Sequence, residues 1–370
     1  MSAPNTGVSA PGKGANAPHA SPTATQRIPA PRLEQFARDV LVHAGIPVEH
    51  AAQSARHLVL CDLRGVESHG ITRLSALAQR IRNGVVNANA NIHVERQRAA
   101  SALVNGDNGL GVPVSTYATR LAIRLAREQG IGTVGVHNSN HFGMAADYAL
   151  QMADAACLGI VTTNSSPAMV PWGAAKKFLG TNPVCFGAPT HGAPLILDMA
   201  TSVVAMGHVV LAEKRGQSIP DSWAVGPDGL PTTDPTLARQ GGARPLADYK
   251  GSGLALMVEV FTSLLTGATL GVHAAGFFSD MTRPADVAHL FIAIDIEAFV
   301  GLESFKERMQ SLLTELRELP LAPGFDRVTL PGEIEHERTQ ERLANGVPLD
   351  PAVLADLQQL SAQSGVTLAV

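Results

Sequence analysis

The chain has 370 residues, 45% of them hydrophobic and 16% charged, enough to bury a sizeable core in about two domains. A net charge of −4, with no basic block interleaved with aromatics, argues against nucleic acid as a partner, and no apolar run reaches the roughly 18 residues needed to span a membrane. Three widely spaced cysteines (Cys61, Cys157, Cys185) form no CxxC pair, so the chain reads as cytoplasmic, without a disulfide framework or a structural metal.

Residues 1–31 are built from Pro, Ala, Gly, Ser and Thr and predict a disordered leader; they lack the apolar run of a secretory signal. From Arg32 the spacing of Leu33, Phe36, Val40 and Leu41 predicts a helix ending near Gly45. Helices follow through "EHAAQSARHLVLCDLRG" and "TRLSALAQRIRNG", then strands "NIHVE" and "ASALVNG", a helix over about 113–128 and the strand "IGTVGV". Between 131 and 295, short apolar strands such as "LGIVTTN", "APLILDM" and "HLFIAIDI" alternate with Gly/Pro/Asn-rich loops. Helices then return: "ESFKERMQSLLTELREL" is amphipathic, and "LDPAVLADLQQLSAQSG" has an Asp350 cap, Pro351 in the first turn and Gly365 past its end. The first and last helical groups are expected to form one discontinuous domain, 32–125 with 296–370, around a sheet-rich domain, 126–295.

Five segments could carry chemistry. In "SHGITRL", His69 and Arg73 are four apart, so on a helix they share a face; a guanidinium fork there suits a carboxylate, and an exposed polar turn is the plain alternative. In "VGVHNSNHFGMAADYAL", His141 stands where a strand gives way to a helix starting near Gly143. A helix N-terminus disfavours imidazolium and would leave the neutral ring that a general base needs; taken alone, the plainer reading prevails, that His141 satisfies backbone groups in the turn. The stretch 162–189, "TTNSSPAMVPWGAAKKFLGTNPVCFGAP", is longer than an ordinary connection, and its small residues allow close backbone approach to a ligand. Asp198 ends the strand "LILDM", either as a catalytic group or as the cap of the helix after it. Lys250 precedes a Gly-x-Gly helix entry, which suits an anion or is simply a solvated lysine. No G-x-G-x-x-G, Walker turn or H-E-x-x-H occurs, so a dinucleotide would not be held by a Rossmann turn and a metal hydrolase finds no ligand set.

Together, "SHGITRL", "NSNHFG", "SSPAMVPWG", "LGTNPVCFGAP", "LDMATS", "IPDSWAVGPDGLPTTDP", "YKGSGLAL" and "PGEIEHERTQERLANGVPL" resemble, in order, the malate/L-lactate dehydrogenase family. That family uses NAD(P) without a Rossmann fold and includes ureidoglycolate and sulfolactate dehydrogenases and cyclic imino acid reductases. The resemblance covers about residues 32–365. It implies an α+β fold with a central, largely antiparallel sheet as the NAD(P)-binding domain, a flanking helical domain, and a homodimer. By matching motif position it implies His141 as proton acceptor or donor, with His69 and Arg73 holding the carboxylate and oxygen of a small carboxylate substrate. Ser165, Thr181, Asn182, Met199, Ala200 and Lys250 would surround NAD or NADP, and Asp198 would assist catalysis. The implied reaction moves a hydride between NAD(P) and C2 of a small 2-hydroxy or 2-oxo acid. The alternatives are reduction of a cyclic imino acid by the same groups, and a non-catalytic small-acid binding protein. The chain departs from the family pattern at Gly226, at Ala247–Asp248 beside Lys250, and in a shortened connection 268–288.

Overall fold

The computed structural model describes residues 26–369. β1 (Gln26–Ile28), α1 (Ala30–His43), α2 (Val48–Leu63), 3-10 turns at Glu67–His69 and Ile71–Arg73, and α3 (Leu74–Arg82) come first. Then follow β2 (His93–Arg98), β3 (Ser101–Asn105), α4 (Gly111–Gln129), β4 (Ile131–Ser139), α5 (Ala146–Asp154), β5 (Cys157–Thr163), β6 (Val184–Ala188) and β7 (Leu195–Met199). α6 (Met206–Lys214), β8 (Ala224–Val225), α7 (Pro235–Gln240), β9 (Gly242–Ala243) and α8 (Tyr249–Glu259) lead to β10 (Val287–Asp295). α9 (Leu302–Arg317), α10 (Glu333–Asn345), β11 (Val347–Leu349) and α11 (Pro351–Ser364) end the order.

The fold is α+β. Seven strands form one sheet in the order β2-β3-β4-β10-β5-β6-β7, and only the β3–β4 pair is parallel. β10 lies in the middle and its residues from Val287 to Phe291 are all buried, because both neighbours pair with it and helices cover it. Val134, Val136, Val161 and Phe291 pack with Leu125 of α4 and Met152 of α5 in one apolar core. A second core joins Leu33, Phe36, Leu58 and Leu74 near the start of the chain to Val347, Leu357 and Leu360 near its end.

Two boundaries differ from the sequence expectation. The disordered leader does not extend to residue 31: β1 pairs antiparallel with β11, Ile28 is fully buried, and α1 starts at Ala30. One apolar side chain with a partner strand outweighs the polar composition around it; residues 1–25 lie outside the described residues. The sheet layer also begins earlier than 126, because β2 and β3 join the sheet and α4 packs on it. The stretch 162–189 is not one long loop either, since it includes the end of β5 and all of β6. Among the described residues no helix is long and apolar enough to cross a membrane.

Candidate active site

His69 and Arg73 do not share an α-helix. Two 3-10 turns flank Gly70, because the buried carboxylate of Asp62 on α2 accepts the Ile71 N–H at 2.8 Å and interrupts the regular bonding. Gly70 is pressed against that carboxylate: an added Cβ would lie 2.0 Å from Asp62 Oδ1. Burial raises the Asp62 carboxyl to about 8. Arg342 of α10 holds the same corner, donating to the Asp62 carbonyl and, at 2.7 Å, to Glu67. His69 and Arg73 nonetheless line one small cavity of about 20 Å³ together with Ser54, His57, His141 and Phe277.

Arg73 is fixed by its Nε–H, which donates to the Ser68 carbonyl at 2.7 Å, and by the rings of Phe277 and Phe278, 4.9 and 5.0 Å from its guanidinium carbon. Burial lowers its pKa to about 10, which leaves it charged at neutral pH. Its terminal nitrogens remain as donors for a carboxylate. The ring of His69 stacks on that of His141 with centroids 5.4 Å apart. Burial, and then the Arg73 charge, bring His69 down to about 3.

The Asn/Ser turn that delivers His141 is a set of anchors. The Asn138 N–H donates to Asp286 at 2.8 Å, and the Asn138 side chain donates to Asn105 at 3.0 Å. The Asn140 amide donates to Asn108 Oδ1 at 3.0 Å and to the Gly109 carbonyl at 2.9 Å. Ser139 Oγ lies 2.9 Å from Nε2 of buried His289, on whose ring Phe142 stacks at 4.7 Å. These contacts tie the end of β4 to the β3–α4 loop and to β10, and hold His141 between them. Helix α5 starts only at Ala146, later than the sequence predicts. The His141 pKa is held well below the ordinary histidine value by burial first and by Arg73 second, so the expected helix-terminus effect is not the cause. The Gly143 N–H donates to His141 Nδ1 at 3.0 Å, so the neutral ring carries its proton on Nε2.

His57 and Asp147, which carried no motif in the sequence, support this turn from below. His57 Nδ1–H donates to Asp147 at 2.6 Å, and its Nε2 accepts the Met144 N–H at 3.0 Å. Arg56 bonds both Asp147 oxygens at 2.8 Å, and these partners hold the Asp147 carboxyl far below the usual range although its burial opposes them. Gly143, at φ 80°, is the only residue type that fits above His57: an added Cβ would lie 1.8 Å from His57 Nε2. The local cue available was a lone histidine and an aspartate 90 positions apart in the chain, which sequence spacing cannot pair.

The remaining predicted residues gather elsewhere. Ser165 Oγ accepts the Thr181 N–H at 3.2 Å, and the Ser165 N–H donates to Asn182 at 3.1 Å. The Thr201 N–H donates to the Thr181 carbonyl at 2.9 Å, which brings the end of β7, with Met199 and Ala200, beside this loop. Asn182 is fully buried and spends its amide on Ala255 and Glu259 of α8, at 3.0 and 3.1 Å. It therefore shapes the loop and cannot present its side chain to a ligand. Lys250 is exposed in the first turn of α8. Asp198 accepts the Ala146 N–H at 2.8 Å, so it anchors the start of α5 and does not cap the helix after it; α6 begins at Met206 with no side-chain cap. Asp198 keeps solvent contact on one side, yet the protein crowded around its carboxyl raises it to about 6. Neither Asp198 nor Lys250 is in the wall of the His141 cavity. A wider groove of about 550 Å³ between α2 and α4 holds none of the predicted residues.

Comparison with known proteins fits this arrangement. The sequence matches the malate/L-lactate dehydrogenase family over residues 28–358. The chain belongs to that family. It is 38% identical to a malate dehydrogenase of Pyrococcus horikoshii, over 92% of this chain and 96% of that protein. It is 34% identical to an NAD+-dependent ureidoglycolate dehydrogenase of Escherichia coli, over 86% and 90%. A solved Δ1-piperideine-2-carboxylate reductase of Pseudomonas syringae superposes with a TM-score of 0.82 at 30% identity, covering 91% of this chain and all of that one. The chain is thus an NAD(P)-dependent oxidoreductase.

The residues of this dehydrogenase suit its cofactor. The departure at Asp248 does not spoil the cationic ground near Lys250, because Arg244 pairs with Asp248 at 3.1 Å. An exposed ammonium with no partner among the described residues stands in the first turn of α8, beside the tied loop at Ser165–Asn182, and is a donor that would suit a dinucleotide phosphate. Glu259 holds the loop at this point, accepting from both Asn182 and, at 2.6 Å, the Gly271 N–H.

Proposed function

We propose that this dehydrogenase moves a hydride between NAD(P) and C2 of a short 2-hydroxy or 2-oxo acid, with the helical unit holding the substrate and the sheet unit the cofactor. The observation that carries the reading is the convergence of His69, Arg73 and His141 on one cavity from two different stretches of chain. Arg73 grips the substrate carboxylate, His69 contacts the oxygen on C2, and His141 handles the proton. Bound NAD(P) supplies the hydride chemistry; the protein supplies alignment, charge and exclusion of water. Ser165, Thr181, Met199, Ala200 and Lys250 frame the cofactor, while Asn182 and Asp198 hold the backbone around it. The Nε2–H tautomer of His141 presents a donor to a carbonyl, which favours the oxo acid as the form first bound. The same donor would serve a C=N bond, and the likeness to the piperideine-2-carboxylate reductase supports that second reading.

Two further features belong to this proposal. The stripe Tyr249, Leu256, Met257, Phe261, Leu264 and Leu265 runs along α8 and its continuation at helical spacing, exposed from 45% at Met257 to 63% at Tyr249. A second copy of the chain would cover it in a homodimer, since a two-fold axis brings the same apolar patch of both copies together. All three cysteines are free and buried, which suits a reducing cytoplasm.

The carboxylate clamp is tested by Arg73→Leu. It should raise KM for a 2-oxo acid about 100-fold or more and abolish the preference for the acid over its methyl ester. An unchanged preference for the acid would refute the clamp.

A further inference from the structure

The buried hydroxyl of Ser54 is unexplained by the reaction so far described. Ser54 is 2% exposed, its Oγ has no hydrogen-bond partner among the described residues, and the residue lines the cavity that holds His69, Arg73 and His141. A buried hydroxyl left unpaired costs free energy unless something in the cavity completes it. The rest of that wall is apolar: Leu58, Leu77, Leu110 and Val112. His57 beside it is no alternative donor, because both ring nitrogens are already bonded to protein. Among the described residues, Arg73 is the one permanently charged residue in the lining.

We propose that Ser54 is a specificity-determining residue that receives an uncharged hydrogen-bonding group on C3 of a monocarboxylic 2-oxo acid, and that the same wall rejects a second carboxylate or sulfonate. This rests on the 2-oxo acid reading above. With the first carboxylate assigned to Arg73 and the C2 oxygen to His69 and His141, the lining left for the substrate side chain is Ser54 and Leu58 of α2, Leu77 of α3, the start of α4 and Phe277. A hydroxyl there completes Ser54. A second anion there would be buried among leucines with no cation of its own, since the cavity's single guanidinium is already engaged.

The test compares kcat/KM for three 2-oxo acids: pyruvate, 3-hydroxypyruvate and oxaloacetate. The wild-type enzyme should favour 3-hydroxypyruvate over oxaloacetate by about 100-fold or more, the scale of an uncompensated buried charge. Ser54→Ala should lower the ratio of 3-hydroxypyruvate to pyruvate about tenfold, the worth of one hydrogen bond. Equal losses on both substrates would leave that ratio unchanged and overturn the assignment of Ser54, as would a wild-type preference for oxaloacetate. Turnover of none of the three would overturn this proposal and the 2-oxo acid reading together, whereas turnover with the wrong ranking would overturn this proposal alone.

Discussion

The charge on Arg73, proposed above to grip a carboxylate, also acts on His141. Burial and that charge together keep the His141 ring neutral to a pH well below the ordinary histidine value. A substrate carboxylate seated on Arg73 cancels the second effect, so the His141 pKa rises when substrate binds. Oxidation of a hydroxy acid needs a neutral ring whose Nε2 is unprotonated, reached from the Nε2–H tautomer by moving the proton to Nδ1 and releasing the Gly143 N–H, and its rate falls as pH drops through the His141 pKa. The acid limb of kcat/KM reports the free enzyme and that of kcat the complex. The limb of kcat/KM should therefore lie clearly below pH 6.5, and that of kcat at higher pH than that of kcat/KM. Coincident limbs near the unperturbed value of about 6.5 would contradict this coupling. Gly143 adds a second control at the same scale: its N–H sets the tautomer of His141, and its missing Cβ lets His57 approach from beneath.

At the scale of elements, α2 and α5 are joined by the contact of His57 and Arg56 with Asp147. The ion pair is nearly dry on the Asp147 side, 2% exposed, so removing the carboxylate strands His57 and breaks the hold on Met144. Asp147→Ala should cost about 3–5 kcal/mol, read from urea unfolding at neutral pH; a loss below about 1 kcal/mol would show that the pair does not carry the junction. The depressed Asp147 pKa gives its contribution a definite sign: it is present above the pKa of an unfolded aspartate and is lost as pH falls further. Elements of this kind show what could be read from the chain alone. The Asp350 cap bonds the Ala352 N–H at 2.9 Å and Gly365 adopts φ 71°, both as the local sequence predicts, because caps are local chemistry. The broken turn at Gly70 was not legible, because the group that breaks it, Asp62, comes from the preceding helix. β1 was hidden for the same reason, since its partner β11 lies near the other end of the chain.

Across the whole molecule, motif order made the family and its sheet-centred α+β fold legible, and with them the trio His69, Arg73 and His141. The layer boundaries were not, because a strand pair such as β3 with β4 is decided by contacts across α4 and leaves no mark in local composition. The apolar stripe of α8 is also a whole-molecule feature. Phe261→Lys together with Met257→Lys should convert a particle of two chains into one in light scattering; a wild-type protein that is monomeric at micromolar concentration would contradict the dimer. The central claim is proton handling by His141 during hydride transfer, and nicotinamide absorbance tests it most directly. NADH or NADPH is mixed with short 2-oxo acids and either the wild-type enzyme or His141→Ala. The wild type should oxidise the cofactor, and the variant should lose about 10²–10⁴ of that rate while still binding cofactor by nicotinamide fluorescence. A variant that turns over as fast as the wild type, or a wild type that oxidises no cofactor with any of the acids, would contradict it.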